Sequence, residues 1–360
     1  WNKIEKEFNN KTLRLHKIAK EKNGLKYVRL DATIGKVHKK VKEGGLFQFG
    51  HSKHFNPKLP QFKTMLSTLD TEIRGQSYPL CSITVSGNTS DDVLYQPIIK
   101  QSKESLGEGD KLLIVGDKKL GSEANLSFIV EGGDYYLTPL SKVQVSGSQI
   151  LDHVKEARME ASKLQPISIE AEEIGEGFEV EYTHTVCRQV GGKEEIISWV
   201  ERRMLVRTWK QVAIQKAAVL RRIDKAKTAL EDLLVKKQGK QTLENESAIQ
   251  EKIDSLLQEL KVEDYFDVKI HRHTTTKKKR KYGNKPARTI REVSFSLEVA
   301  LKQSEINHAI ENLAWVVYAT NAPEQELKLK DALILYKEQF QIETRFNDLK
   351  NKVTKLLPLF

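Results

Sequence analysis

Lys111-Leu112-Leu113-Ile114-Val115-Gly116-Asp117 is the stretch on which the fold class turns. Four consecutive aliphatic residues closed by Gly-Asp have no two-residue alternation. Such a run suits a strand buried on both faces, as in an α/β sheet. Downstream, Ser122 is a plausible N-cap for a helix that runs to Glu131-Gly132-Gly133. Tyr135-Tyr136-Leu137 follows as the next strand. Strand, helix and strand within about 30 residues make a βαβ unit, whose ligands gather at the carboxyl ends of the strands. Asp117 falls at such an end.

Upstream, Tyr27-Val28-Arg29-Leu30 reads as a short strand ending at Asp31, with further strands near Phe62 to Leu69 and Tyr78 to Val85. Between the first two, Phe49 to Gln61 contains Pro57 and Pro60 and reads as a long loop. Asp91 to Ser102 reads as a helix, and Trp1 to Asn23 as a polar, helical lead-in. The texture changes between 141 and 312. Short strands at Ile167 to Ile169, Phe178 to Thr185 and Ile196 to Trp199 precede a helical stretch. There Ile223, Ala226, Leu230 and Leu233 step at helical spacing, as do Ile249, Ile253, Leu256 and Leu260. A helical hairpin accounts for both sets. Leu313 to Thr320 returns as a strand, and a final helix is expected from about Glu324 to Leu356.

Charge sharpens the functional classes. Lys plus Arg number 60 against 49 Asp plus Glu, a net charge of +11. The window Lys269 to Glu292 alone holds ten basic residues and one acid, centred on Lys277-Lys278-Lys279-Arg280-Lys281. Alternating strands at Phe266 to Ile270 and Val293 to Val299 flank it. The window reads either as a solvated loop or as a phosphate-contacting hairpin tip. His271 and His273 within it read as a plain strand rather than a metal site. Two cysteines, Cys81 and Cys187, exclude a disulfide scaffold and a paired-cysteine zinc site. No apolar stretch approaches the roughly 20 residues of a membrane span, so no membrane partner is expected. No secretory signal follows Trp1, and an intracellular protein that has lost N-terminal residues is expected.

Asp31 and Asp117 each close a predicted strand of one sheet, where a buried acid without a partner is costly. Glu343 falls on the inner face of the final helix if Tyr336, Phe340, Ile342 or Phe346, and Leu349 set that face. Three converging acids without cysteine or histidine suit hard cations such as Mg²⁺. Pairs of such ions serve phosphodiester chemistry.

The helix Tyr336-Lys337-Glu338-Gln339-Phe340-Gln341-Ile342-Glu343-Thr344-Arg345-Phe346-Asn347-Asp348-Leu349-Lys350 resembles the signature of DDE transposases from one large group of bacterial insertion sequences. That signature is Tyr-x2-Arg-x3-Glu-x6-Lys. Tyr336, Glu343 and Lys350 match it, while Gln339 stands where the arginine is. Leu30-Asp31-Ala32-Thr33 is similar to the segment around the family's first aspartate. Val115-Gly116-Asp117-Lys118-Lys119 is similar to that around the second, where members commonly have Asp-Arg-Gly. Gly50 to His54 with Pro57 to Gln61, and Ser86-Gly87-Asn88-Thr89-Ser90-Asp91, resemble two further family segments.

The resemblance implies an α/β, ribonuclease H-like mixed sheet with flanking helices, interrupted by an inserted strand-plus-helical-hairpin domain. Residues 25–140 and 313–360 would form the catalytic domain and 141–312 the insertion. Residues 1–24 would be the tail of a missing region that recognises transposon ends. It further implies that Asp31, Asp117 and Glu343 hold two Mg²⁺ ions, with Mn²⁺ able to substitute. The enzyme would cut transposon ends and join the 3′-hydroxyl to target DNA, as a homodimer in synapsis, in the bacterial cytoplasm at the nucleoid. DNA contacts are expected from His51, Lys53, Lys118, Lys277, Lys278, Lys279, Arg280, Lys281, Tyr336, Gln339 and Lys350. The departures at Lys118, Lys119 and Gln339 keep an alternative open: a decayed or domesticated copy that binds DNA without cutting it.

Overall fold

The computed structural model describes residues 25–50, 58–71, 75–107, 111–160, 163–190, 193–235, 245–279 and 288–347, with Glu7 and Gly109. The chain forms two compact units, one built from residues up to Val206 and from Val316 onward, the other from Arg207 to Trp315.

The first unit opens with strands β1 (Leu25–Lys36), β2 (Gln61–Asp70) and β3 (Ser77–Ser86). Helix α1 (Tyr95–Leu106), strand β4 (Lys111–Val115), helix α2 (Glu123–Glu131), strand β5 (Tyr135–Pro139) and helix α3 (Gly147–Met159) follow. Three strands come next: β6 (Gln165–Ile169), β7 (Glu172–Val190) and β8 (Lys193–Thr208). In the second unit lie helices α4 (Trp209–Glu231) and α5 (Glu246–Leu260), strands β9 (Phe266–Lys279) and β10 (Arg288–Leu301), and helix α6 (Gln303–Glu311). Strand β11 (Val316–Thr320) and helices α7 (Leu329–Lys337) and α8 (Phe340–Asn347) return to the first unit.

Among the described residues, nine strands make one mixed sheet in the order β3-β2-β1-β4-β5-β11-β8-β7-β6. β1 is antiparallel to β2, and β2 to β3, whereas β4 is parallel to both β1 and β5. Leu112 to Val115 are at most 1% exposed, as their unbroken apolar run requires. Leu113 and Val115 pack with Leu137 against Ala332 and Leu335 of α7. Leu112 and Ile114 are buried on the other face.

The sequence reading ended β1 at Asp31, but the strand continues for five residues. Ala32 and Ile34 stay buried there, and every residue to Lys36 keeps a partner on β2. The boundary drawn at residue 141 is not where the chain divides. β6, β7 and β8 extend the first unit's sheet through β11, with Val316 to Thr320 registered against Val206 to Arg202. The second unit begins only at Arg207.

In that second unit, α4 and α5 form the expected helical pair. Ile223, Ala226 and Leu230 of one pack with Ile249, Ile253 and Leu257 of the other. β9 and β10 make a separate two-stranded antiparallel sheet. Among the described residues, no helix is long and apolar enough to cross a membrane.

Candidate catalytic site

Asp31 and Asp117 meet through strand register. The last registered pair between parallel β1 and β4 is Arg29 with Val115. Asp31 and Asp117 each stand two residues beyond it, on strands about 4.8 Å apart. β4 stops there while β1 runs on, paired only with β2. The sheet therefore opens at the two acids.

Their surroundings are polar but ordered. Asp31 Oδ1 accepts the N–H of Ala32 at 2.7 Å. Asp117 Oδ1 accepts the Tyr95 hydroxyl at 2.6 Å and the Lys119 N–H at 2.9 Å, and the Asp117 carbonyl accepts the Thr138 hydroxyl at 2.7 Å. Burial pushes the Tyr95 hydroxyl well above its ordinary range, and the charge and hydrogen bond of Asp117 and the charge of Asp31 push it further. Tyr95 is thus a permanent donor to Asp117. Gly116 lets Tyr95 come close, since a Cβ there would meet Leu120 Cδ2 at 2.9 Å and the Tyr95 ring at 3.3 Å. Gly116→Ala is expected to cost about 1–3 kcal/mol by overpacking, read in urea melts. Unchanged stability would show that the site yields freely.

The segment carrying Glu343 is not the single helix expected from Glu324 to Leu356. It breaks at Glu338 and Gln339, between α7 and α8. The cause comes from β1. In a continuous helix the Leu335 carbonyl would accept the N–H of Gln339. Here it accepts Arg29 Nη1 at 2.7 Å, and the Gln339 N–H turns to the Tyr336 carbonyl at 3.0 Å. Arg29 is fully buried. It forks onto Asp70 with Nε to Oδ1 at 2.7 Å and Nη2 to Oδ2 at 2.7 Å, with Glu338 at 3.6 Å. Past the break, Ile342 and Phe346 bury against Leu66, whereas Phe340, an expected inner-face residue, is exposed.

The site residues read from the sequence scatter accordingly. Tyr336 packs on Tyr318 with ring centroids 4.8 Å apart. Burial raises its hydroxyl above the ordinary range, and Tyr318, Asp117, Asp31 and Glu343 raise it further, so all three acids act on this one phenol. Burial also pushes Tyr318 up to about 12. Gln339 donates Nε2 to the Leu30 carbonyl at 3.1 Å, beside Asp31, an intramolecular contact rather than an open DNA contact. Glu343 is exposed. Among the described residues, no three of His, Cys, Asp and Glu form a group able to hold a metal ion. The donors are hard oxygens, the right kind for Mg²⁺. Asp31 and Asp117 stand in matching register, but with Glu343 they do not make up such a group. His51, Lys53, Arg280, Lys281 and Lys350 lie outside the described residues. Lys277, Lys278 and Lys279 lie on β9 of the second unit.

The Ser86 to Asp91 segment forms the turn after β3. Lys63 holds it, pairing with Asp91 at 2.6 Å and donating to the Thr89 carbonyl.

Lys118 and Lys119 are exposed and line a cavity of about 580 Å³ that sequence reasoning missed. Its floor is a buried network around Glu201 of β8. Glu201 accepts the Tyr136 hydroxyl at 2.7 Å and Arg203 Nε at 2.8 Å, and lies 3.1 Å from His184 Nε2. His184 stacks on Trp199 at 4.4 Å, and Arg203 sits over the Tyr182 ring at 3.6 Å. Burial alone would raise Glu201, but the hydrogen bonds from His184, Arg203 and Tyr136 outweigh it and hold the carboxyl below its ordinary value. A depressed folded-state value stabilises the fold above the ordinary Glu range, and the benefit is lost as pH falls through the depressed value. Glu201→Gln is expected to cost roughly 3 kcal/mol at neutral pH by stranding Arg203 and His184. The deficit should narrow below about pH 4. Parallel melting curves for both proteins at every pH would refute this.

No family model matches the sequence, and no curated protein matches it.

Proposed function

We propose that this chain is a DDE-type DNA transposase of ribonuclease H-like fold, cutting transposon ends and joining the freed 3′-hydroxyl to target DNA. The placement of Asp31 and Asp117 carries the reading: two carboxylates in matching register where parallel β1 and β4 part company. An antiparallel three-strand meander whose first strand runs beside a parallel fourth is the arrangement a ribonuclease H-like fold calls for. The spacing of Tyr336, Glu343 and Lys350 supports assigning Glu343 as the third acid.

On this reading the chain's own groups have separate tasks. Asp31 and Asp117 face the reacting phosphate, and Tyr95 and the Lys119 N–H fix the Asp117 carboxylate. Lys118 and Lys119 supply charge at the mouth, where backbone phosphates would approach. Mg²⁺, with Mn²⁺ as its substitute, is the cofactor this donor set would take, polarising phosphate oxygens when bound. On this reading Glu343 supplies the third carboxylate of that set.

The test is nicking of supercoiled and transposon-end DNA with Mg²⁺ or Mn²⁺, by the wild type and by Asp31→Ala, Asp117→Ala and Glu343→Ala. Cleavage that needs the metal and all three acids supports the reading, and cleavage that survives all three substitutions ends it. Salt-sensitive binding with no cleavage under any metal condition favours the decayed, DNA-binding copy, for which Gln339 in its intramolecular bond to Leu30 is the specific observation.

A further inference from the structure

The two faces of the β9–β10 ribbon differ in how their charges are engaged. Register places Val268 opposite Val299, Ile270 opposite Leu297, and Arg272 opposite Phe295. These pairs share one face. Its base, Val268, Ile270, Leu297 and Val299, packs on the core of the second unit. From Arg272 outward the same stripe turns mostly basic and hydroxylated: Arg272, Thr274, Thr276 and Lys278 on β9, Thr289 and Arg291 on β10, all exposed, with the exposed Val293 opposite Thr274. No Asp or Glu falls on this face of either strand.

Among the described side chains of the opposite face, Lys269, His271 and Lys277 already stand beside acids. Lys277 pairs with Glu292 at 2.6 Å, and His271 with Glu298 at 2.8 Å. Glu298 is held below its ordinary value by the His271 hydrogen bond and by the charge of Lys269.

We infer that the acid-free face of the ribbon, through Arg272, Lys278 and Arg291, binds the phosphate backbone of duplex DNA. At about 3.4 Å per residue, Arg272 and Lys278 stand about 20 Å apart, with Arg291 between them opposite Thr276. Duplex DNA carries one charge per about 1.7 Å of axis, and a two-stranded ribbon fits its major groove. The interleaved Thr hydroxyls add phosphate donors without sequence preference. This rests on DNA being the partner, as the proposed function has it, but not on cleavage.

The experiment is fluorescence anisotropy of the full chain with a labelled random-sequence duplex across a salt series. Arg272→Gln/Lys278→Gln/Arg291→Gln is compared with Lys269→Gln/His271→Gln on the opposite face, thermal melts confirming that both fold. The triple variant is expected to weaken binding about 10- to 100-fold at low salt and to flatten the log–log salt slope by about 2 to 3. The control pair should change affinity less than about 3-fold, and Arg272→Lys/Arg291→Lys should keep the wild-type slope. Equal losses in triple and control, an unchanged slope in the triple, or no DNA binding by the wild type would each overturn the inference. Binding through this face with no cleavage would retain it and count against the catalytic reading alone.

Discussion

If the chain cuts DNA as proposed, Asp117→Ala is expected to lower that cleavage by at least about 10³-fold while leaving the fold intact, and Asp31→Ala likewise. Stabilising charge at a reacting phosphate is worth several kcal/mol, and each 1.36 kcal/mol is tenfold in rate. Both side chains are only partly buried, so the fold should hold, although Asp117→Ala strands the buried Tyr95 hydroxyl at a cost of about 1–3 kcal/mol. Tyr95→Phe separates chemistry from scaffolding. It removes the 2.6 Å hydrogen bond to Asp117 but no reacting group. A supporting hydrogen bond of this kind is worth about 10- to 100-fold in activity, so Tyr95→Phe should fall between wild type and Asp117→Ala. Equal losses in both would mean that Asp117 acts only as part of the scaffold. Single-turnover cleavage at saturating DNA is the measurement.

Arg29→Met is expected to destabilise the first unit by about 3–5 kcal/mol, the range for breaking a buried ion pair. The guanidinium is fully buried, and its loss strands Asp70 and leaves the Leu335 carbonyl without its donor. Asp70 gives the deficit a pH signature. Burial pushes its carboxyl above the ordinary value, against the opposing hydrogen bonds and charge of Arg29, while Glu338 adds to the rise. Without Arg29 the carboxyl rises further. A raised folded-state value contributes stability below the unfolded value, which is lost as pH rises through the folded one. The difference between Arg29→Met and wild type should therefore be largest at neutral pH and shrink as pH falls towards the carboxylate range. Urea melts from pH 7 to pH 4.5 measure it, and a constant deficit would mean that the carbonyl contact dominates over the ion pair.

How far the sequence is legible depends on the range of the governing interactions. The unbroken apolar run at Leu112 to Val115 and the three-and-four spacing of Ile223, Ala226 and Leu230 are local, and both elements stand where those patterns put them. The alignment of Asp31 with Asp117 was half legible: each was read as a strand end, but register is a property of pairing. The end of β1 was misread because its extension is set by β2, some 30 residues later. The break before Phe340 had no local sign, since Glu338 and Gln339 are good helix formers and the breaker, Arg29, is 306 residues away in sequence. The Glu201 network was invisible for a similar reason. Its members lie on β5, β7 and β8 and meet only once those strands share a sheet.

The Arg29 fork also alters what a count of residues measures in this chain. Seven positions separate Tyr336 from Glu343, which along an unbroken helix is a ruler of about two turns. With the Leu335 carbonyl just before it taken by a neighbouring strand, the ruler becomes an elbow. The upper arm, α7, is seated in the core by Ala332 and Leu335, and the forearm, α8, leans on Leu66 through Ile342 and Phe346. The joint is fastened to the strand that carries Asp31, by Arg29 on one side and by Gln339 through Leu30 on the other. The reach of Glu343 is thereby set by the angle at which one strand holds that elbow, and two side chains are its hinge pins.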